Sequence, residues 1–261
     1  YRYKKTQYRN YSCRKSRRSL SIIFLILKIF EGIRNYLNAF LHLLYPQICF
    51  GCGTDQIEKE MPLCPKCIQN LPFTDFFSIN ENPIEKIFWG RAEIQNAGAL
   101  LFFTKDSLVQ TLITQLKYHH NKKVGILFGR LMGEAIAAEE KYKQIDIIIP
   151  IPISASKINN RGFNQSEVIA NGMQQVLNKP IISDGLIKRS WSNSQTKKNR
   201  KARLQQLPDL FFLQKPTSIE GKHILLVDDV LTTGATLEAA VASLMTGSPA
   251  SVSIAVAAYT L

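Results

Sequence analysis

The chain lacks an apolar run long enough to cross a bilayer. The stretch 22–27 is interrupted by Lys28, Glu31 and Arg34, well short of the roughly 18 apolar residues that a span requires. No small-residue cleavage site follows it, so residues 1–28 imitate a secretory signal without completing one. No stable membrane insertion and a cytoplasmic location are therefore expected. Residues 1–28 have no core periodicity beyond that one run, and the chain opens on Tyr1 rather than methionine, so this segment is expected to be a disordered basic tail or a misplaced start. Acidic residues are also in deficit, 20 against 33 Lys and Arg, for a formal charge of +13. That excess points to polyanionic ligands or nucleic acid, but eight of the basic residues lie between Arg2 and Arg18, so much of it belongs to the tail.

Cysteine is scarce as well, with five in the chain. Four of them form Cys49-x2-Cys52 and Cys64-x2-Cys67, with eleven residues between the pairs. Two CxxC knuckles present four thiolates at the spacing a tetrahedral zinc ion needs, and Gly51 and Gly53 supply the tight backbone of the knuckle turns. Four thiolates leave no open coordination position, so the expected zinc is structural. A disulfide framework is the competing reading, and it requires an oxidising compartment that nothing else in the sequence indicates. Cys13, alone in the tail, is expected to be an idle thiol.

What is present is enough apolar material, 45% of 261 residues, for one sizeable α/β core with a small appended module. Periodicity predicts an amphipathic helix over 31–44, ending before Pro46, with the knuckle over 46–72 and a linker marked by Asn and Pro at 79–83. A strand over 98–103 and two helices, 107–118 and 124–138, come next. The apolar run 145–149 has the character of a strand buried on both faces of a parallel sheet. A helix over 165–177 follows, with Asn164 and Glu167 resembling a capping box. A second buried strand, 224–227, leads through a polar turn to a helix over 236–245 with Gly247 as terminator, and a strand over 252–258 completes a βαβ arrangement. The domain reading is a tail over 1–28, a helix plus four-Cys module over 29–75, and an α/β domain over 90–261.

The chemistry gathers at one strand end, ILLVDDVLTTGAT. Asp228 and Asp229 emerge from a buried strand, followed by Thr232, Thr233, Gly234, Ala235 and Thr236 at a helix start. Backbone amides of such a loop, with threonine hydroxyls, make a donor cradle for phosphate, and Gly234 allows close approach. The two carboxylates suit ribose hydroxyls or a hydrated Mg²⁺. A charged strand-to-helix turn without a ligand is the bland alternative.

Four apolar residues, Asp-Asp, two apolar residues and TTGAT resemble the phosphoribosyl-diphosphate signature of type I phosphoribosyltransferases. Ile149-Pro150-Ile151-Pro152, the run Arg161-Gly162-Phe163-Asn164-Gln165, Leu116-Lys117-Tyr118 and the cysteine knuckle after Tyr45-Pro46 together resemble the ComF family, competence-associated phosphoribosyltransferase-like proteins, over residues 36–261. The resemblance implies a parallel-sheet α/β fold of the type I phosphoribosyltransferase kind with an N-terminal four-Cys zinc module. It implies binding of 5-phosphoribosyl diphosphate with Mg²⁺, Asp228 and Asp229 as catalytic residues, and a diphosphate-facing loop at 153–157. Arg161, Asn164 and Gln165 would lie close to that loop. Arg161 reads either as a bidentate anion contact or as a solvated arginine before a helix, and Lys117 as a phosphate ligand or a partner of its helix dipole. The basic segment 194–203 corresponds to the closing lid of phosphoribosyltransferases, or to a solvated loop, and Gln205 or Gln206 stands where an Asn is expected. The function implied is a phosphoribosyltransferase with an unnamed acceptor, linked to DNA uptake. The alternative is a non-catalytic sensor of phosphoribosyl diphosphate whose zinc knuckle engages single-stranded DNA or competence and recombination proteins.

Overall fold

The computed structural model describes residues 32–34, 47–58, 61–188 and 210–260. The tail 1–28, Cys13, most of the helix expected over 31–44, the basic segment 194–203 and Gln205 and Gln206 lie outside the described residues. The chain divides into two units, 1–48 and 49–261. In the first, residues 32–34 are helical.

The second unit runs, in chain order, through α1 (Pro65–Gln69), α2 (Pro83–Phe88), β1 (Ala97–Phe103), α3 (Leu108–Tyr118), α4 (Lys122–Ala137), β2 (Ile147–Pro150), α5 (Ala155–Arg161), α6 (Gln165–Leu177), β3 (Leu186–Lys188), β4 (Phe211–Leu213), β5 (His223–Leu231), α7 (Ala235–Met245) and β6 (Ser251–Thr260). Strands β1, β6, β5 and β2 form, in that spatial order, a four-stranded sheet paired in parallel throughout. Strands β3 and β4 form a separate antiparallel ribbon.

Alternation along the central strands assigns the two faces. Leu225, Val227, Ala255 and Ala257 pack with α3, α4 and α6, while Ile224, Leu226, Ile254 and Val256 pack with α2, α7 and the β3–β4 ribbon. Both faces are covered, which is why the sequence shows nearly continuous apolar runs here instead of alternation. The cysteine segment joins the first of these cores, since Cys49, Leu63, Cys64 and Leu71 are buried in the same cluster as Leu112 and Leu116.

Three local readings differ from expectation. The Asn and Pro at 79–83 form a pinned turn in place of a free linker. The buried Asn82 caps α2 by accepting from the Ile84 amide, 2.9 Å, and its amide group donates to the carbonyls of Phe76, 3.0 Å, and Ala97, 2.7 Å. Strand β5 runs on to Leu231 because its pairing with β6 continues past the acid pair, so Asp228 and Asp229 lie within the strand. Gly247 follows the end of α7, but what demands a glycine there is space: a Cβ would meet Leu213 at 2.6 Å and Ile219 at 2.8 Å.

Helices α4 and α6 approach backbone to backbone. Gly125, Gly129 and Gly133, spaced four apart on one stripe of α4, face Val168, Gly172, Met173 and Val176 of α6, and a Cβ on Gly129 would run into the Ile169 carbonyl and lie 2.8 Å from the Gly172 Cα. In an open helix, Gly→Ala gains about 0.5–1 kcal/mol. Here the obstacle is main chain that cannot rotate away, and overpacking costs about 1–3 kcal/mol or more. Gly129→Ala is therefore expected to lower stability by at least about 1 kcal/mol in urea unfolding. A variant as stable as the parent would show that the helices do not meet here.

Candidate functional site

The site forms where the two central connections part. Strand β2 pairs with β5 only as far as Pro150 and Val227. From there the chain after β2 passes through α5 into α6, which packs on one face, while the chain after β5 enters α7 on the other. Such a divergence at the carboxyl ends of parallel strands opens the crevice in which ligands of α/β folds bind.

Asp228 and Asp229 sit at its floor. Asp228 Oδ1 accepts from Ser166 Oγ of α6 at 2.9 Å and from the Asp229 amide at 2.8 Å. Asp229 Oδ2 pairs with Lys117 Nζ of α3 at 2.9 Å, with both side chains largely shielded, 13% and 19% exposed. Burial and the adjacent Asp229 carboxylate push Asp228 up to about 7, against the lowering effect of the Asp229 amide, Ser166 and Lys117. Lys188, at the end of β3, faces the same charges. Burial pushes its ammonium down, Lys157 of α5 adds to that, and Asp228 opposes it.

The segment 161–166 holds the far wall. Gly162 ends α5 with φ +70°, which turns the chain sharply into α6. Arg161 Nη1 donates to Gln165 Oε1 at 2.9 Å, and the guanidinium lies over the Tyr118 ring at 5.6 Å. Both ends of the Asn164 side chain are engaged within the protein: Nδ2 donates to the Ile151 carbonyl, 3.0 Å, and Oδ1 accepts from the Ser166 amide, 3.2 Å. Gln165 is buried, and its Nε2 donates to the Phe163 carbonyl, 3.2 Å. Asn164 and Gln165 thus hold Arg161 and Ser166 in place. The expected loop 153–157 is shorter, because α5 begins at Ala155 and carries Lys157 on its first turn.

On the other wall, Gly234 stands at the N-cap of α7 with φ +79° and no side chain caps the helix. The first-turn amides therefore point outward without a side-chain acceptor, as an anion cradle requires. Gly234 is demanded twice, by its left-handed backbone and by the Ile87 methyl that a Cβ would meet at 3.0 Å. Thr232 and Thr233 are exposed, while Ala235 and Thr236 are half-buried. Arg91 fastens this loop to α2 by donating to the carbonyls of Thr233 and Ile87, both 3.2 Å, and pairing with Glu238 at 2.6 Å. Ser166 and Arg91 escaped the sequence reading. Ser166 was signalled only by a small polar residue on the apolar side of a helix, and Arg91 by nothing local.

A second site is the cysteine cluster. The four Sγ atoms of Cys49, Cys52, Cys64 and Cys67 lie within 4.8 Å of one another, with Cys52 and Cys64 3.7 Å apart. Tetrahedral zinc with Zn–S of about 2.3 Å requires S···S edges of about 3.8 Å, so the donor set fits that ion. The Cys49 sulfur accepts from the amides of Gly51, 3.4 Å, and Cys64, 3.3 Å. Burial raises the Cys49 thiol, but the amides of Cys52, Cys64 and Gly51 and the Cys67 thiol outweigh it and bring the group to about 6. A Cβ on Gly51 would lie 2.6 Å from the Cys67 sulfur, so only glycine fits against the cluster.

The acid pair carries a pH-dependent stability cost. Asp228 keeps its proton to about pH 7 when folded and loses it near 3.8 when unfolded. Between those values the native state binds more protons, so stability falls as pH rises and the cost is fully present above pH 7. Asp228→Asn keeps the acceptor oxygen for Ser166 and the Asp229 amide but removes the charge. In metal-free urea unfolding, the variant should equal the parent near pH 4 and exceed it above pH 7 by on the order of 4 kcal/mol. A difference that does not change with pH would refute this account.

Comparison with known proteins agrees with the architecture. The phosphoribosyl transferase domain matches residues 115–260. The competence protein ComFC of Bacillus subtilis is 38% identical over 220 residues, 82% of this chain and 85% of its own length. The DNA utilization protein YhgH of Escherichia coli O157:H7 is 27% identical over 129 residues, 48% of this chain, and the chain spans about half of that relative, 56%. Among solved structures, the glutamine phosphoribosylpyrophosphate amidotransferase of B. subtilis aligns with a TM-score of 0.40 and 18% identity over 55% of this chain and 30% of its own. The extent of the ComFC match, together with the matched domain over more than half of the sequence, means that the chain belongs to the ComF family of phosphoribosyltransferase-fold proteins.

Proposed function

We propose that this protein binds 5-phosphoribosyl diphosphate together with Mg²⁺ in the crevice between β2 and β5. The observation that carries the reading is the acid pair on β5, placed directly before an uncapped helix start whose Gly234 turn presents backbone amides. The amides of 234–236 and the hydroxyls of Thr232, Thr233 and Thr236 would take the 5-phosphate. Asp228 and Asp229 would take the ribose hydroxyls, and Arg161, Lys117 and Lys188 would face the diphosphate end. Mg²⁺, when bound, would neutralise the diphosphate, and the acid pair is the donor set suited to it.

The reaction this arrangement supports is displacement at the anomeric carbon. The C1–O bond to diphosphate breaks with its electron pair leaving on diphosphate, and a nucleophile's lone pair forms the new bond to C1. The acid pair stabilises the positive charge that develops on the ribose. The chain's own residues hold the two ends of the ligand still while this happens. The cysteine cluster holds zinc in a structural role, since it is built into the core beside α3 and has no open position. The relatives are named for competence and DNA utilisation, and we extend that role to this chain, with single-stranded DNA or a competence protein as partner.

Replacing both Asp228 and Asp229 by Asn should preserve the fold and weaken binding of phosphoribosyl diphosphate in calorimetric titration with Mg²⁺ by roughly a hundredfold, because each charge-assisted contact contributes about 1.5–3 kcal/mol. Equal binding by parent and variant, or no binding by the parent at millimolar ligand, would remove this reading. Incubating the parent with the same ligand and a panel of bases separates a transferase from a sensor, since only the former releases diphosphate in a base-dependent way.

The purified protein should also carry about one zinc ion per chain, with its cysteines protected until a chelator is added. Metal-free, folded protein with four freely titratable thiols would defeat the zinc assignment.

A further inference from the structure

The peptide unit between Thr233 and Gly234 is the part of the cradle that the loop itself holds least firmly. Turning a peptide plane over changes ψ of the residue before it and φ of the residue after it, and glycine accepts either sign of φ at nearly equal cost. Gly234 stands at φ +79°. Its own backbone therefore does not fix the direction of its amide, and a contact from outside the loop must.

Arg91 supplies that contact from beyond the end of α2. The chain leaves the helix through Gly90, φ +68°, and the Arg91 amide turns back to the Phe88 carbonyl at 2.9 Å. Nη1 donates to the carbonyls of Ile87 and Thr233, both 3.2 Å, and Nη2 pairs with Glu238 of α7 at 2.6 Å. The donors of a guanidinium are fixed in one plane, so anchorage on Ile87 at one side and Glu238 at the other sets where the Thr233 oxygen must lie. In a planar trans peptide the C=O and N–H point in opposite directions. With the Thr233 oxygen held at Arg91, the Gly234 N–H is turned away from Arg91, and among the described residues no acceptor takes it. The ion pair itself adds little to stability, because its side chains are 39% and 26% exposed. The clamp acts on orientation.

We propose that Arg91 is the positioning residue of the 5-phosphate cradle, holding the 233–234 peptide in the orientation that directs the Gly234 amide at the phosphate. The inference rests on the phosphoribosyl diphosphate reading of this site and adds the residue that sets the cradle's shape. The rival account is electrostatic. Glu238 lies in the first turn of α7, and in that account Arg91 only cancels its repulsion of a phosphate.

The test is calorimetric titration of the full chain with ribose 5-phosphate, with phosphoribosyl diphosphate and Mg²⁺, and with pyrophosphate and Mg²⁺. Parent, Arg91→Ala, Arg91→Lys and Arg91→Ala combined with Glu238→Gln are compared, and urea unfolding checks the fold of each. Arg91→Ala is expected to bind both phosphorylated riboses about tenfold or more weakly, the loss typical of a misdirected hydrogen bond to a charged group, while binding pyrophosphate as the parent does. The double variant should show the same loss. Arg91→Lys, whose single ammonium reaches the Thr233 carbonyl without spanning to Glu238, should fall between parent and Arg91→Ala. The inference is overturned if Arg91→Ala keeps the parent's affinity for ribose 5-phosphate, if pyrophosphate binding falls by the same factor, or if the double variant regains the parent's affinity. Should Arg91→Ala not fold, Arg91→Lys carries the test, and ribose 5-phosphate bound as tightly as by the parent, or a loss shared equally by pyrophosphate, overturns it. Failure of the parent to bind either phosphorylated ribose is read from the parent alone and strikes the function proposed above together with this inference, whereas an unaffected Arg91 variant strikes the inference only.

Discussion

Two adjacent carboxylates on a strand covered on both faces set the constraint around which this molecule is arranged. Removing a carboxylate from water is costly unless it is paired, hydrogen-bonded or protonated, and all three remedies operate within a few ångströms. Ser166 and the Asp229 amide donate to Asp228, Lys117 pairs with Asp229, and Asp228 keeps its proton to about pH 7. Each remedy fixes an element. Lys117 requires the last turn of α3 to end over the sheet, and Ser166 requires α6 to begin there. Those demands explain why α4, lying between them in sequence, carries three glycines on one stripe, since α6 must close on it to backbone contact.

Much of this arrangement was legible in the sequence, and the unread parts have a common cause. The buried strands and the long helices announced themselves through apolar runs and 3.6-residue periodicity, and the acid pair with its threonine loop announced the crevice. The ribbon of β3 and β4 did not, because each strand has three residues, too few for a period, and they are separated by the segment 189–210. Arg91 was invisible because the carbonyl it clamps lies 142 residues away. Asn82 was read as a linker signal, and the same chemistry that favours turns, a short amide side chain before proline, also makes a buried helix cap. Asn164 and Gln165 stand next to Arg161 and Ser166, but which of their atoms remain free is decided by Ile151, Phe163 and Arg161, and no local pattern encodes that.

The cysteine segment illustrates the same limit differently. Its spacing specified the donor set, and the sulfur positions fit a tetrahedral ion, but spacing does not show where the knuckle packs. Cys49 and Cys64 are buried with Leu63 and Leu71 in the core that backs α3, the helix that ends in Lys117 and Tyr118. A metal held by the knuckle would therefore act on the packing of a helix that reaches the crevice.

The charge balance of the crevice resolves an apparent conflict between an acidic floor and a polyanionic ligand. Counted as two free carboxylates, the floor would repel phosphate. In the folded chain, however, Asp229 is paired with Lys117, and burial and the neighbouring carboxylate favour the protonated form of Asp228. Lys157 disfavours the charge on Lys188, while Asp228 favours it. Nearby, the helix start of 234–236 adds amide dipoles with no side-chain cap. The walls are thus positive while the floor is close to neutral, and the acidity of the pair is available to whatever separates Lys117 from Asp229. Under the proposed function, a divalent cation held by the carboxylates would do that, and the same two residues would favour an anion that arrives with a cation or a sugar attached.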